Sequence, residues 1–118
     1  MSLEWEQTNV DARDPVSLGR WWAEALGWVV VNDDPHEFEI RPAPDRLPGL
    51  LFVSVSEPNT AKNRLHLDFR PGERDREVER LLGLGASRTD VGQGEQSWVV
   101  LADPEGNEFC ILSSRHPS

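Results

Sequence analysis

Apolar positions along the chain change their period several times, and each change marks an element boundary. Leu18, Trp21, Trp22, Ala25 and Leu26 follow helical spacing behind Asp14-Pro15, an N-cap followed by proline at the first helical position. Gly27 ends that helix. Trp5 to Val10 upstream reads as a strand. Downstream, Trp28 to Val31 is rich in β-branched residues and stops at the turn-forming Asn32-Asp33-Asp34-Pro35. Glu37 to Arg41 alternates, with Phe38 and Ile40 on one side and charges on the other, as a half-buried strand does. Pro42, Pro44, Pro48 and Gly49 then break the chain before an apolar strand, Leu50 to Val55.

After the polar connector Ser56 to Lys62 the order begins again. Arg64 to Arg70 reads as a strand, a helix runs from about Arg74 to Leu84, and Gly85 stops it. Ser87 to Val91 reads as a short strand before a glycine-rich turn at Gly92 to Gly94. Trp98 to Leu101 and Glu108 to Leu112 are two further strands, flanking the turn Asp103-Pro104-Glu105-Gly106-Asn107. The halves superpose at an offset of about 57 to 60 residues, so that Leu18 meets Val78, Trp21-Trp22 meets Leu81-Leu82, and Leu26-Gly27 meets Leu84-Gly85.

The expected fold is therefore α+β: two tandem βαβββ modules, about 3–56 and about 63–114, in a single domain spanning 1–118. Their sheets should form a curled mixed sheet around a cleft, with the helices on the outer face. An undivided ferredoxin-like sandwich is the alternative. A length of 118 residues suits one core.

Charge narrows the partners. With 21 acidic and 12 basic residues the formal net charge is −9, which repels polyanions, so neither nucleic acid nor an anionic membrane is expected as a partner. Arg74, Arg76 and Arg80 alternate with Glu73, Asp75, Glu77 and Glu79, the pattern of a solvated helix face. No apolar run approaches the roughly 20 residues of a membrane span, Met1 to Val10 carries no secretory pattern, and the single Cys110 cannot form an intrachain disulfide. A cytoplasmic location is the resulting expectation.

Three pieces of sequence resemble the glyoxalase-like branch of the glyoxalase/bleomycin-resistance/dioxygenase (vicinal oxygen chelate) superfamily. They are Asp14-Pro15 through Trp21 to Trp28, Asn63-Arg64-Leu65-His66-Leu67-Asp68, and Trp98 through Asp103-Pro104-Glu105-Gly106-Asn107 to Cys110. The resemblance spans essentially the whole chain, and the closing strand-turn-strand is its most specific piece. It implies a homodimer that binds a small molecule. In metal-dependent members it implies four ligands on the concave face, two per module, holding a divalent ion against vicinal oxygens of the substrate. Matched by motif, those positions fall on Gln7, near Phe52 or Ser54, on His66 and on Cys110. The two carboxylates are missing, and Gln7 with His66 alone would hold a hard cation poorly. No cofactor is therefore assigned. If a metal binds, its ligands are Gln7, His66 and Cys110.

Alternation alone, without the resemblance, puts His66, Asp68 and Arg70 on one face of their strand and Leu65, Leu67 and Phe69 on the other. The apolar set should cover the helix. His66 and Asp68, the candidate catalytic pair, would then look into the cleft as a histidine oriented by a carboxylate. Asp68 could equally bond a turn or pair with Arg64 or Arg70. Gln7, Asn9, Phe52, Trp98 and Cys110 are the candidate substrate-pocket residues, although Cys110 also suits the role of a small buried hydrophobe. His36 and His116 lie in a turn and near the tail, where exposure is expected. There are five Trp and no Tyr; adjacent Trp21 and Trp22 diverge on a helix, so one should reach a module or subunit contact. Three functional classes follow: an isomerase or lyase acting on a small polar metabolite through His66 and Asp68, a metal-free ligand-sequestering protein of the bleomycin-resistance type, and a structural partner domain.

Overall fold

A computed structural model of the chain describes residues 2–55, 67–89 and 98–114. The chain divides into two compact units, Met1–Thr60 and Ala61–Ser118. The first contains β1 (Gln7–Ala12), α1 (Pro15–Leu26), β2 (Val29–Asp33), β3 (Glu37–Arg41) and β4 (Gly49–Ser54). The second repeats that order with β5 (Leu67–Phe69), α2 (Arg74–Leu84), β6 (Ser87–Arg88), β7 (Val99–Ala102) and β8 (Glu108–Ile111). Each unit holds one four-stranded mixed sheet, in the orders β1-β4-β3-β2 and β5-β8-β7-β6. The fold is thus α+β, built from two βαβββ units with a helix packed on each open sheet.

In the first unit β1 runs parallel to β4, a pairing that needs a crossover, and α1 supplies it. Asp14 caps the helix by accepting the Ser17 N–H at 3.1 Å, and Gly27 ends it in the left-handed region at φ 69°. The buried stripe Leu18, Trp22 and Ala25 lies against a sheet face made of Phe38, Ile40, Leu50 and Phe52, with Ala12 at the end of β1. Phe38, Ile40 and Phe52 are fully buried, each worth roughly 1.5–3 kcal/mol of transfer free energy. Gly19 is what lets the ring of Phe38 lie against the helix, and the Arg20 guanidinium covers that ring at 5.7 Å. Trp21 and Trp22 do diverge: Trp22 joins the core, while Trp21 stays half-buried with its ring edge-on to its neighbour at 5.0 Å.

The second unit follows the same logic with a shorter stripe. Val78 and Leu81 are the buried residues of α2, and Leu101, Ala102, Phe109 and Ile111 those of its sheet, with Phe69 edge-on to Phe109 at 5.9 Å. The opposite side of the helix carries the expected charge pairs, Glu77–Arg80 at 2.8 Å and Glu73–Arg76 at 3.4 Å. Between β7 and β8, Asp103 is only 3 % exposed, and its Oδ1 accepts the backbone N–H groups of Glu105 and Asn107 at 3.0 and 2.9 Å. Gly106 takes φ 88°, which closes the turn.

Most element ends move by a residue or two from the sequence expectation. The largest change is at the start, where the strand runs Gln7–Ala12 rather than Trp5 to Val10. Pairing begins where Gly49 N–H meets the Glu6 carbonyl at 2.9 Å, which leaves Trp5 outside the ladder and 66 % exposed. The expected strand starts at Arg64 to His66, and the Asp90-Val91 end of the short strand, lie outside the described residues.

A methyl group at Gly19 would overlap the Phe38 ring, whereas one at Gly83 would meet nothing within 4 Å. Gly19→Ala should therefore cost about 1–3 kcal/mol through overpacking. Gly83→Ala should be neutral or stabilising by up to about 1 kcal/mol, the helix-propensity difference. Urea denaturation of both variants checks the pair; equal midpoints would contradict the packing described for α1.

Candidate functional site

In each unit the helix covers one face of the sheet, which leaves the opposite face to be read from strand register. In the second unit Asp68 pairs with Cys110 across the parallel β5–β8 ladder, and Val100 pairs with Cys110 across the antiparallel β8–β7 ladder. Directly paired residues project to the same side, so Asp68, Cys110 and Val100 form a row on the helix-free face. Glu108 shares that side by alternation. Thr89, just beyond β6, donates from its N–H and its hydroxyl to the Val100 carbonyl at 3.2 and 3.3 Å.

Asp68 is exposed and Cys110 half-buried. The Cys110 thiol is pushed above its ordinary range, first by loss of solvation, then by the Asp68 charge, by the hydrogen bond Asp68 accepts from it, and by the Glu108 charge. Loss of solvation, followed by the Asp68 charge, therefore favours the neutral thiol of Cys110, which stands beside Asp68 in strand register. Cys110 is neither a thiolate nucleophile nor a ready thiolate ligand.

The first unit presents Gln7, Asn9 and Asp11 on its helix-free face, beside Gly49, Leu51 and Val53 of β4. Glu37, Glu39 and Arg41 of β3 share that face. Arg41 donates from Nε to Glu39 Oε2 at 2.8 Å and from a terminal nitrogen to the Pro44 carbonyl at 3.4 Å, and lies 3.7 Å from Glu6. The Glu39 side chain keeps only 13 % of its exposure. A Cβ at position 49 would stand 2.9 Å from Glu39 Oε2, so a glycine there makes room for the carboxylate. This ion pair was not singled out from the sequence; alternation placed both residues on the correct side, but their mutual contact depends on side-chain reach.

One candidate is corrected. Phe52 is not a pocket residue: it is fully buried, pairs with Phe38 and faces α1, on the side opposite Gln7 and Asn9. The run Leu50 to Val53 is apolar at every position, so sequence alternation could not fix its phase, and pairing with β3 does. Ser54, of the same parity, contacts His36 Nδ1 at 3.3 Å in the exposed β2–β3 turn region. Trp98 stands 40 % exposed immediately before β7. His66 and His116 lie outside the described residues.

Of the four ligand positions that the resemblance implies, His66 lies outside the described residues, and Gln7, Phe52 or Ser54, and Cys110 supply no carboxylate. Phe52 offers a core ring and Ser54 an exposed hydroxyl, and Cys110 offers a thiol kept neutral by loss of solvation and then by the Asp68 charge. Among the described residues, no three of His, Cys, Asp and Glu gather in an arrangement that could hold a metal ion. Among those residues too, no helix is long and apolar enough to cross a membrane.

Comparison with known proteins adds the family. No curated protein sequence matches the chain. Among solved structures, a glyoxalase/bleomycin resistance protein/dioxygenase family enzyme from Burkholderia phytofirmans PsJN superposes with a TM-score of 0.74 at 18 % identity, covering 94 % of this chain and 98 % of its own. The oxidase ChaP-H2 gives 0.68 at 20 % identity over 100 % and 98 %. A glyoxalase-related enzyme from Fulvimarina pelagi gives 0.69 at 16 % identity over 94 % and 88 %. At these identities the likeness is one of fold. The family model described as the glyoxalase-like domain matches residues 7–112, nearly the whole of both βαβββ units, and the chain therefore belongs to the glyoxalase-like domain family of the vicinal oxygen chelate superfamily.

Proposed function

We propose that this glyoxalase-like protein binds its small-molecule ligand without a metal, through the helix-free face that carries Asp68, Cys110 and Val100. The observation that carries this reading is the Asp68–Cys110 pair. A hydrogen-bonding carboxylate and a neutral thiol sit side by side in strand register on a face the helix does not cover. That face accepts hydrogen bonds through Asp68 and Glu108 and offers Val100 as an apolar floor. It suits a small ligand that donates through amine, amide or hydroxyl groups and carries an apolar part. Ligand sequestration of the bleomycin-resistance type needs no more than this.

A catalytic reading as an isomerase or lyase adds one step. In it His66 takes and returns a proton on the ligand while Asp68 orients the imidazole. What favours it is sequence parity, since His66 and Asp68 are two residues apart on the same strand reading.

Three measurements test these readings. A thermal-shift screen of metabolites and antibiotics should return a stabilising ligand. Asp68→Asn should weaken it by about 1.5–3 kcal/mol, the usual worth of a hydrogen bond to a charged group, and a ligand indifferent to Asp68 and Cys110 would place binding elsewhere. Elemental analysis of purified protein should find no stoichiometric divalent metal, and one equivalent lost in His66→Ala would overturn the metal-independent reading. Finally, beyond the loss of solvation, Asp68 raises the Cys110 pKa by its charge and by hydrogen bonding with the neutral thiol. Removing that charge in Asp68→Asn should shift the pH profile of Cys110 alkylation toward lower pH. An unmoved profile would show that burial alone holds the thiol protonated.

A further inference from the structure

The α2 helix lacks a cap of its own. Glu73 stands at the N-cap position but makes no side-chain capping bond, whereas Asp14 caps α1 locally. The missing acceptor comes from the far end of the chain, where Ser114 Oγ accepts the Arg74 N–H at 2.8 Å. One residue earlier, Ser113 is held by Arg70, which donates from one terminal nitrogen to the Ser113 carbonyl and hydroxyl, both at 2.9 Å. Beside it the Leu112 N–H meets the Phe69 carbonyl at 2.8 Å. The tail that follows β8 is therefore fastened to both the end of β5 and the start of α2.

This fastening matters because of what it adjoins. The β5–β8 ladder has only three registered pairs, Leu67–Phe109, Asp68–Cys110 and Phe69–Ile111. A ladder that short is weak by itself, and the central pair is the one facing away from the helix. Arg70 and Ser113 extend the ladder by side-chain bonding where the backbone pairing stops, and Ser114 ties the same tail to the helix that covers the other face. We propose that Arg70, Ser113 and Ser114 form a clasp that positions Asp68 against Cys110, so that seating of the C-terminal tail sets the geometry of the ligand-facing pair. The clasp holds a conformation; none of its residues is assigned contact with ligand. The inference rests on the ligand-facing role of Asp68 and Cys110 proposed above, but it concerns the ligand-free protein and is tested there.

The test uses the full chain and two readouts. Hydrogen–deuterium exchange follows the amides of the first turn of α2, of β5 and of Leu112. The infrared S–H stretch of the single cysteine reports its hydrogen bond to Asp68. In Ser114→Ala the named amides should exchange about fivefold faster, the factor expected for a lost cap. The S–H band should move toward that of a thiol without a partner, and Ser114→Thr, which keeps the hydroxyl, should restore both. Arg70→Ala should act like Ser114→Ala, and the milder Arg70→Lys, which keeps a donor, should lie between it and the native protein. Three results would overturn the clasp: faster exchange in α2 with an unmoved S–H band, equal acceleration at core amides such as Leu101 and Phe109, or no rescue by threonine. A ligand screen that returns nothing while the exchange and infrared results hold would count against the binding face and leave the clasp standing.

Discussion

Parallel pairing of the first and last strands of each unit is the constraint on which the rest depends. Two parallel neighbours cannot be joined by a tight turn, so the chain must leave the sheet, cross over it and return. In both units it does so as a helix, followed by an antiparallel run of strands that ends beside the first one. The crossover commits one sheet face to the core. Leu18 and Trp22 on α1, and Val78 and Leu81 on α2, occupy that face, and strand residues of the other parity lie on the face the helix leaves uncovered. The location of Asp68 and Cys110 is thus a consequence of topology before it is a matter of which residues they are.

Two aspartates illustrate how differently one residue type is used within a single unit. Asp103 is buried and its carboxylate is consumed by the β7–β8 turn, where it also accepts from the Asn107 side chain at 2.9 and 3.2 Å. That turn sets the register that brings Val100 beside Cys110. Asp68 is exposed, lies in a three-residue strand and stands beside the Cys110 thiol in register. A fully satisfied buried carboxylate fixes geometry; an exposed one beside a weak donor retains lone pairs for a ligand. The same division separates the caps, since α1 is closed by its own Asp14 and α2 by Ser114 from the tail.

A cysteine at the position where the family resemblance leads one to expect a carboxylate changes the chemistry more than its size suggests. A thiolate could still bind a soft cation, but Asp68 and Glu108 add negative charge around Cys110 and burial disfavours its ionised form, so the proton stays on sulfur. The surroundings that would be needed to activate the thiol are the reverse of those present. A neutral donor beside a carboxylate suits recognition of a ligand better than nucleophilic chemistry, in keeping with the binding role proposed above.

Much of the fold was legible in the sequence because its signals are local. Asp14-Pro15, Gly27 and Gly85 mark helix ends through capping and backbone geometry that a few neighbouring residues decide. The alternation of Glu37 to Arg41 marks a strand with one wet face, and Asp103 to Asn107 carries the turn within five residues of chain. The repeat of these signals at an offset of about sixty residues was enough to read two βαβββ units. The side of the sheet on which Asp68, Gln7 and Asn9 fall was also readable, because polar and apolar residues alternate around them. Phe52 was misplaced because Leu50 to Val53 is apolar throughout, and a strand without alternation has no phase until its neighbours supply one. The Asp68–Cys110 pairing, the Glu39–Arg41 ion pair under Gly49, and the capping of α2 by Ser114 join residues far apart in the chain or through side-chain reach. Only strand register and tertiary packing bring those groups side by side, so only the folded structure decided them.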